Sequence, residues 1–374
     1  MGQISSHGKN AFGQTGRLQE LDALRGLAAL SVVLFHYTHN QPHIDSNFAF
    51  SYGITGVDLF FMISGFTISL SMTKISHWKS FVVYRFGRLY PAFWMCVLIT
   101  SAFVLIYDFQ HFKLSDVLIN MTMVPAYFGV EDLDGSYWTL AVELVFYLWI
   151  LCIYMAGKIK DIELSGMLTL MVILAFHFFR PFYPALYTLV VTKIQLINHF
   201  PLFFSGILFY QFSCRGFSME NLLLMFISIF AAFYLHDKGG RAMYLISYQE
   251  HLLIILFYHV VFALLIYGKM KFLAKPQLVF LGTISYSLYL LHQYMGRKII
   301  DSLLTYTHAN SYFVIALVVL LNILLAYVVT RFVEIPANTY IRNGYKTAVQ
   351  QSSIKTLHPF EIERKFQNHS HQQT

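Results

Sequence analysis

Ten stretches of the chain are apolar over a length at or near the roughly 20 residues that a helix needs to cross a bilayer. They are residues 21–39, 52–72, 88–107, 137–157, 164–180, 194–212, 219–236, 248–267, 277–295 and 312–333. Polar or charged connections separate them. The pattern predicts an all-α integral membrane protein, a bundle of about ten transmembrane helices. Pro181, Pro184 and Pro201 interrupt the region of the fifth and sixth stretches, where a broken or re-entrant element is the alternative to two plain spans. Residues 114–128 are weakly amphipathic and suit an interface. The expected organisation is a cytoplasmic N-terminal segment (1–20), a transmembrane domain (21–345) and a polar, His- and Gln-rich cytoplasmic tail without fixed structure (346–374). The first apolar run has no small-residue cleavage site and continues into Phe35-His36-Tyr37, so it reads as a retained span.

Composition agrees. The chain is 57% hydrophobic and 12% charged with mean hydropathy +0.56, whereas a soluble domain carries about 25% charged residues. Its apolar surface needs lipid as solvent. The net charge of +7 does not imply nucleic acid, because Lys and Arg sit in connections between apolar runs. With the N-terminus in the cytoplasm, 18 of the 26 fall inside, 7 outside, and Arg25 within the membrane. The positive-inside bias therefore puts both termini in the cytoplasm. The longest outside loop, 108–136, carries Asp108, Asp116, Glu131, Asp132 and Asp134. Cys96, Cys152 and Cys214 imply neither a disulfide framework nor a metal site.

Ionisable residues inside spans cost a few kcal/mol each on insertion scales, so each needs a partner, a wet cavity or a function. Five stand out: Arg25, His36, Asp58, Glu143 and His292. Arg25 and His36 are eleven residues apart, close to three helical turns, so they share a face and are separated by roughly 16 Å. Alternatively Arg25 pairs with Asp22 and His36 caps the interface. Asp58 and Glu143 start spans that enter from outside, at the depth of His36. A carboxylate beside an imidazole is the smallest general-base unit; the alternatives are a cap for Asp58 and an interhelical ion pair for Glu143. Arg85 and Arg88, three apart at the cytoplasmic mouth of the third span, could grip phosphate oxygens or serve as ordinary charge anchors. His292 lies where aromatic belts are common, so packing is an alternative role. His259 and Glu250 read as interfacial or structural.

These residues, in this order, resemble the membrane-bound acyltransferase 3 family, which includes O-acetyltransferases of lipopolysaccharide and other bacterial surface sugars. The resemblance rests on Leu21-Asp22-Ala23-Leu24-Arg25-Gly26-Leu27 with His36; Gly56-Val57-Asp58-Leu59-Phe60-Phe61 with Ile63-Ser64-Gly65-Phe66; and Arg85-Phe86-Gly87-Arg88 with Pro91. It continues with Trp138-Thr139-Leu140-Ala141-Val142-Glu143, Ile284-Ser285-Tyr286-Ser287-Leu288-Tyr289 with His292, and Glu334 with Pro336. Met62, Tyr137 and Tyr294 depart from the residues more usual there, Val, Ser and Pro. The chain looks like the stand-alone form, without a fused extracellular domain.

The resemblance implies an enzyme that moves an acetyl group from cytoplasmic acetyl-CoA to a carbohydrate or glycolipid hydroxyl outside the inner (plasma) membrane, with no metal. It implies Arg85 and Arg88 as holders of the donor's phosphates, with Arg25 along the donor channel. His36 is expected as general base or transient acyl carrier, oriented by Asp58 or Glu143. Trp138, Tyr286 and His292 are expected to contact substrate. The rivals are a transporter or flippase of a sugar or glycolipid, a structural membrane partner, and an acyltransferase using succinyl-CoA. The absence of internal repeats weighs against a transporter.

Overall fold

The computed structural model describes residues 18–351 apart from 40, 42–43, 45–47, 239–244 and 308. Residues 1–17 of the expected N-terminal segment and 352–374 of the expected tail lie outside the described residues. Among the described residues there are helices and no strands. In chain order they are α1 (Gln19–Thr38), α2 (Gly56–Met72), α3 (Trp78–Tyr107), α4 (Leu114–Asn120), α5 (Trp138–Met155), α6 (Ile162–Phe178) and α7 (Pro184–Lys193). Then come α8 (Leu196–Arg215), α9 (Met219–Tyr234), α10 (Tyr248–Ile266), α11 (Pro276–Leu291), α12 (Gln293–Thr307) and α13 (Ser311–Val329).

Local chemistry explains the starts. Ser247 and Glu250 form a reciprocal capping box on α10, Asn310 caps α13, and Pro276 opens α11 where its missing N–H costs nothing. Each of the ten predicted apolar segments falls on a helix. Among the described residues five helical stretches are long and apolar enough to span a bilayer: Ser51–Met72, Trp78–Tyr107, Trp138–Met155, Tyr248–Ile266 and Ser311–Gln351. Their outward faces are apolar. Leu253, Phe257, Val260 and Leu264 recur at helical spacing on α10, and all are exposed. Water would not tolerate such stripes around a monomer, whereas lipid does. The protein is an all-α membrane protein.

Three boundaries differ from the sequence pattern. α3 starts at Trp78, ten residues before the apolar run, so Arg85 and Arg88 sit within the helix. The predicted span 277–295 is broken, because α11 stops at Leu291 and α12 restarts at Gln293. Helix also continues past α13, through a π-helical turn at Thr330–Glu334, to Gln351, into the segment expected as tail.

Two close helix pairs organise the bundle, α1 with α11 and α2 with α8. In each, glycines let backbones touch. A methyl group on Gly282 would overlap the Asp22 carbonyl of α1, and one on Gly206 would overlap the Met62 carbonyl of α2. In lipid, helices gain little from the hydrophobic effect, so van der Waals contact at small residues carries much of the association. Gly206→Ala is therefore expected to cost about 1–3 kcal/mol, as overpacking does. Thermal unfolding in detergent checks this, and an unchanged midpoint would contradict it.

Candidate active site

Four of the five intramembrane ionisable residues line two neighbouring cavities, and the fifth, His292, is buried behind His36. One, of about 120 Å³, is bounded by Arg25, Arg85, Arg88, Glu143, Tyr147 and Tyr286, among others. The other, of about 50 Å³, is bounded by His36, Asp58, Ser136, Trp138, His199 and Gln293, among others. Val57 and Tyr289 belong to both walls. α1 is continuous from Arg25 to His36, so its single stripe presents the guanidinium to the first cavity and the imidazole to the second.

In the arginine cavity, Arg25 Nη1 donates to Asp22 Oδ1 at 3.2 Å, the pairing open from sequence, and still lines the cavity. Arg85 Nη2 donates to Ser71 Oγ at 2.8 Å, and its guanidinium lies 5.4 Å from the Tyr147 ring centre. Its Nε is buried without a hydrogen-bond partner. Arg88 Nη1 donates to Glu334 Oε1 at 2.7 Å. The Glu334 carboxylate is 2% exposed and also accepts from Ser287 and Thr330. A buried carboxylate so satisfied fixes Arg88 in place. The π-helical turn aims it there, a distortion frequent at functional sites. Glu143 accepts from Ser64 Oγ at 2.9 Å and from the Tyr147 hydroxyl. Tyr286 donates to the Leu89 carbonyl at 3.1 Å. Asp22 pairs with Arg25 and Glu334 with Arg88, which leaves Arg85, held only by a hydroxyl and an aromatic ring, as the guanidinium best placed for an anionic guest.

The imidazole cavity is organised by the break after α11. His292 is fully buried, with Nδ1 2.6 Å from the Tyr289 carbonyl oxygen. A carbonyl only accepts, so the proton sits on Nδ1 and Nε2 is left as acceptor. His292 Nε2 lies 3.0 Å from His36 Nδ1, which also lies 3.0 Å from the Val32 carbonyl. Both neighbours call for a proton on His36 Nδ1. Nε2 is then the basic nitrogen of His36.

The expected orienting carboxylates are placed differently. Asp58 lines the His36 cavity, but its Oδ2 is 3.1 Å from His251 Nε2. Glu143 faces the arginines. A second histidine, His292, occupies the position expected of a carboxylate. Sequence reasoning also passed over His199, Tyr289 and Asp134. Tyr289 lay within a quoted motif, and His199 opens an apolar run where a polar residue reads as interfacial.

Asp134 clamps this end of the bundle. Its Oδ1 accepts from the Ser136 backbone N–H at 2.8 Å and from Ser136 Oγ at 2.6 Å. Its Oδ2 accepts from the Tyr294 N–H at 2.7 Å, in the first turn of α12. Outside Asp134 a groove of about 540 Å³ runs between residues 124–135, α5 and the α7–α8 connection. Gly135 and Trp138 line both the groove and the His36 cavity. Among the described residues no group of three or more His, Cys, Asp or Glu side chains is placed to hold a metal ion.

The sequence pattern of a family described as Acyltransferase domain matches residues 18–331. A protein of Acidianus two-tailed virus carrying an acetyltransferase name, ORF330, is 25% identical over 280 residues, 73% of this chain and 81% of that one. Nodulation protein 10 of Rhizobium leguminosarum is 28% identical over 159 residues, 36% of this chain and 43% of that one. Peptidoglycan O-acetyltransferase OatA of Listeria monocytogenes is 26% identical over 151 residues, 34% of this chain and 22% of that one. The chain thus spans most of the first relative and less than half of the other two. No solved structure matches.

Burial pushes the Asp134 carboxyl up to about 6, against the pull of its hydrogen bonds. A carboxyl raised on folding lends stability below its unfolded value near 4 and loses it as pH rises through 6. Asp134→Asn removes that titration and turns an amide toward the Ser136 or Tyr294 N–H. The variant is expected to be less stable, and the gap in unfolding midpoint should shrink between pH 4 and pH 6. A gap that grows over this range would overturn the assignment.

Proposed function

The chain belongs to the acyltransferase domain family and is a membrane O-acyltransferase; we propose that it carries an acetyl group from cytoplasmic acetyl-CoA to a hydroxyl of a cell-surface carbohydrate, such as a lipopolysaccharide O-antigen, outside the inner membrane. The observation that carries this reading is the shared wall: Val57 and Tyr289 line both the cavity of the three arginines and that of His36. The donor's phosphates would meet Arg85, Arg88 and Arg25. The buried Arg85 Nε, which has no protein partner, fits an anionic oxygen. The thioester end would then pass the shared wall toward His36, roughly 16 Å up α1 from Arg25.

His36 Nε2 takes the proton of the acceptor hydroxyl as its oxygen bonds to the acyl carbon. The carbon–sulfur bond breaks, and His36 returns the proton to the leaving thiolate. Proton, acyl group and charge balance, and nothing else is consumed. His292 keeps His36 in the productive tautomer and still accepts from Nδ1–H when the imidazolium forms. Glu143, with Asp22 and Glu334, balances the three guanidiniums once CoA has left. Tyr286 and Trp138 bound the donor and acceptor sides.

The experiment is transfer in proteoliposomes, with acetyl-labelled acetyl-CoA on one side and lipopolysaccharide on the other. Label on sugar is expected. Transport without transfer of label, or transfer only from succinyl-CoA, would replace the reading. His36→Ala, at normal abundance, should lower turnover by about 10²–10⁴, the usual worth of a general base. Full activity in that variant would remove His36 from the mechanism.

A further inference from the structure

Beside the proposed base stands a histidine with no role in the scheme above. His199, in the first turn of α8, is 8% exposed, and its Nε2 has no hydrogen-bond partner. Its ring packs between Phe61 and Trp138, with centroids 5.0 and 5.4 Å away, and borders the His36 cavity. Gln293 Oε1, on the same cavity, is likewise buried without a partner. An orphaned buried polar atom costs about 1–3 kcal/mol, and two on residues of one cavity wall beside a base mark the place of a missing polar guest. A hydroxyl both donates and accepts, so it can satisfy an imidazole nitrogen and an amide oxygen together.

The size of the space limits what enters. About 50 Å³ takes a hydroxyl-bearing arm and leaves no room for a sugar ring. The ring must stay in the outer groove, whose 540 Å³ is ample and which shares Gly135 and Trp138 with the cavity wall. That groove presents an indole face at Trp138, a second aromatic at Tyr127, the carboxylates of Glu131 and Asp132, and the amide of Gln195. Among the described residues the only cationic side chain on its wall is Lys193, whose ammonium donates to the Ala126 carbonyl. Carboxylates accept hydroxyl protons well, but a carboxylate on the guest would meet like charge.

We propose that this groove is the acceptor-binding subsite, that it takes an oligosaccharide of neutral sugars in preference to acidic ones, and that His199 holds the reacting hydroxyl against His36. The proposal rests on the acyl-transfer reading for its chemistry but not for its binding. His199 is a positioning residue: it fixes the hydroxyl while His36 takes the proton. Glu131 and Asp132 set the charge preference from the groove.

Binding to an array of oligosaccharides built from neutral hexoses, N-acetylhexosamines and uronic acids tests this, using the full chain in nanodiscs. Neutral chains are expected to bind at least about tenfold more tightly than uronate-containing chains of equal length. The double variant Glu131→Gln/Asp132→Asn should narrow that preference. His199→Ala should weaken oligosaccharide binding and raise the acceptor KM more than it lowers kcat, and His199→Gln, which retains a polar nitrogen, should recover part of the loss. Equal binding of uronates by the unaltered protein, or binding indifferent to His199→Ala and to the double variant, overturns the proposal. Acetyl-CoA affinity is measured on the same samples. Neutral oligosaccharide binding without any acetyl-CoA binding would sink the transfer reading and leave the groove standing.

Discussion

A single hydrogen bond sets the tautomers of the two histidines that meet inside the bundle. The Tyr289 carbonyl can only accept, so His292 must carry its proton on Nδ1. That choice makes Nε2 an acceptor, which in turn fixes the proton of His36 on Nδ1 and turns the basic nitrogen away. A carboxylate in that place would orient the ring equally well, but as a second buried charge in a membrane it would need a cation of its own. A neutral imidazole does the orienting without that cost. The arrangement depends on the helix break after Leu291, which Asp134 secures from a loop more than 150 residues away in sequence.

The two cavities differ in lining. On one side of Val57 and Tyr289 the walls are guanidinium-rich, and on the other they are imidazole, aromatic and amide with the Asp58 carboxylate. Such polar side chains are tolerable inside a bilayer because the bundle, not lipid, surrounds them. The glycine contacts at Gly282 and Gly206 make this enclosure tight, since they bring α1 against α11 and α2 against α8 at backbone distance. Arg25 and His36 lie on the first of these pairs and Asp58 on the second. Chemistry and packing therefore share the same helices.

Much of this was legible in the sequence, and the limits have physical causes. Period 3.6 along α1 put Arg25 and His36 on one stripe, and apolar length located every predicted helix. The i,i+3 spacing of Arg85 and Arg88 made them neighbours. Partners across the bundle were not legible. Asp58 meets His251, 193 residues away, and His36 meets His292, 256 residues away. No local pattern encodes such pairings. Depth alone grouped His36 with Asp58 and Glu143, yet helices of equal depth still rotate their side chains to different cavities. α12 was missed for another reason: its buried Met295, Gly296, Ile300 and Leu304 form a narrow stripe on an otherwise polar helix, which a search for long apolar runs passes over.

The last helical stretch, Ser311–Gln351, has 41 residues and so is roughly 60 Å long, about twice the thickness of a hydrocarbon core. Its far end cannot all lie in lipid. There Tyr345 reaches the Ser80 hydroxyl at 3.2 Å, and Arg342 stacks over Tyr84 at 4.6 Å, both on the early turns of α3. The two helices brace one another as a water-facing collar at the arginine end. A thicker or thinner membrane would change how much of that collar is wetted, while protein contacts keep the two helices together.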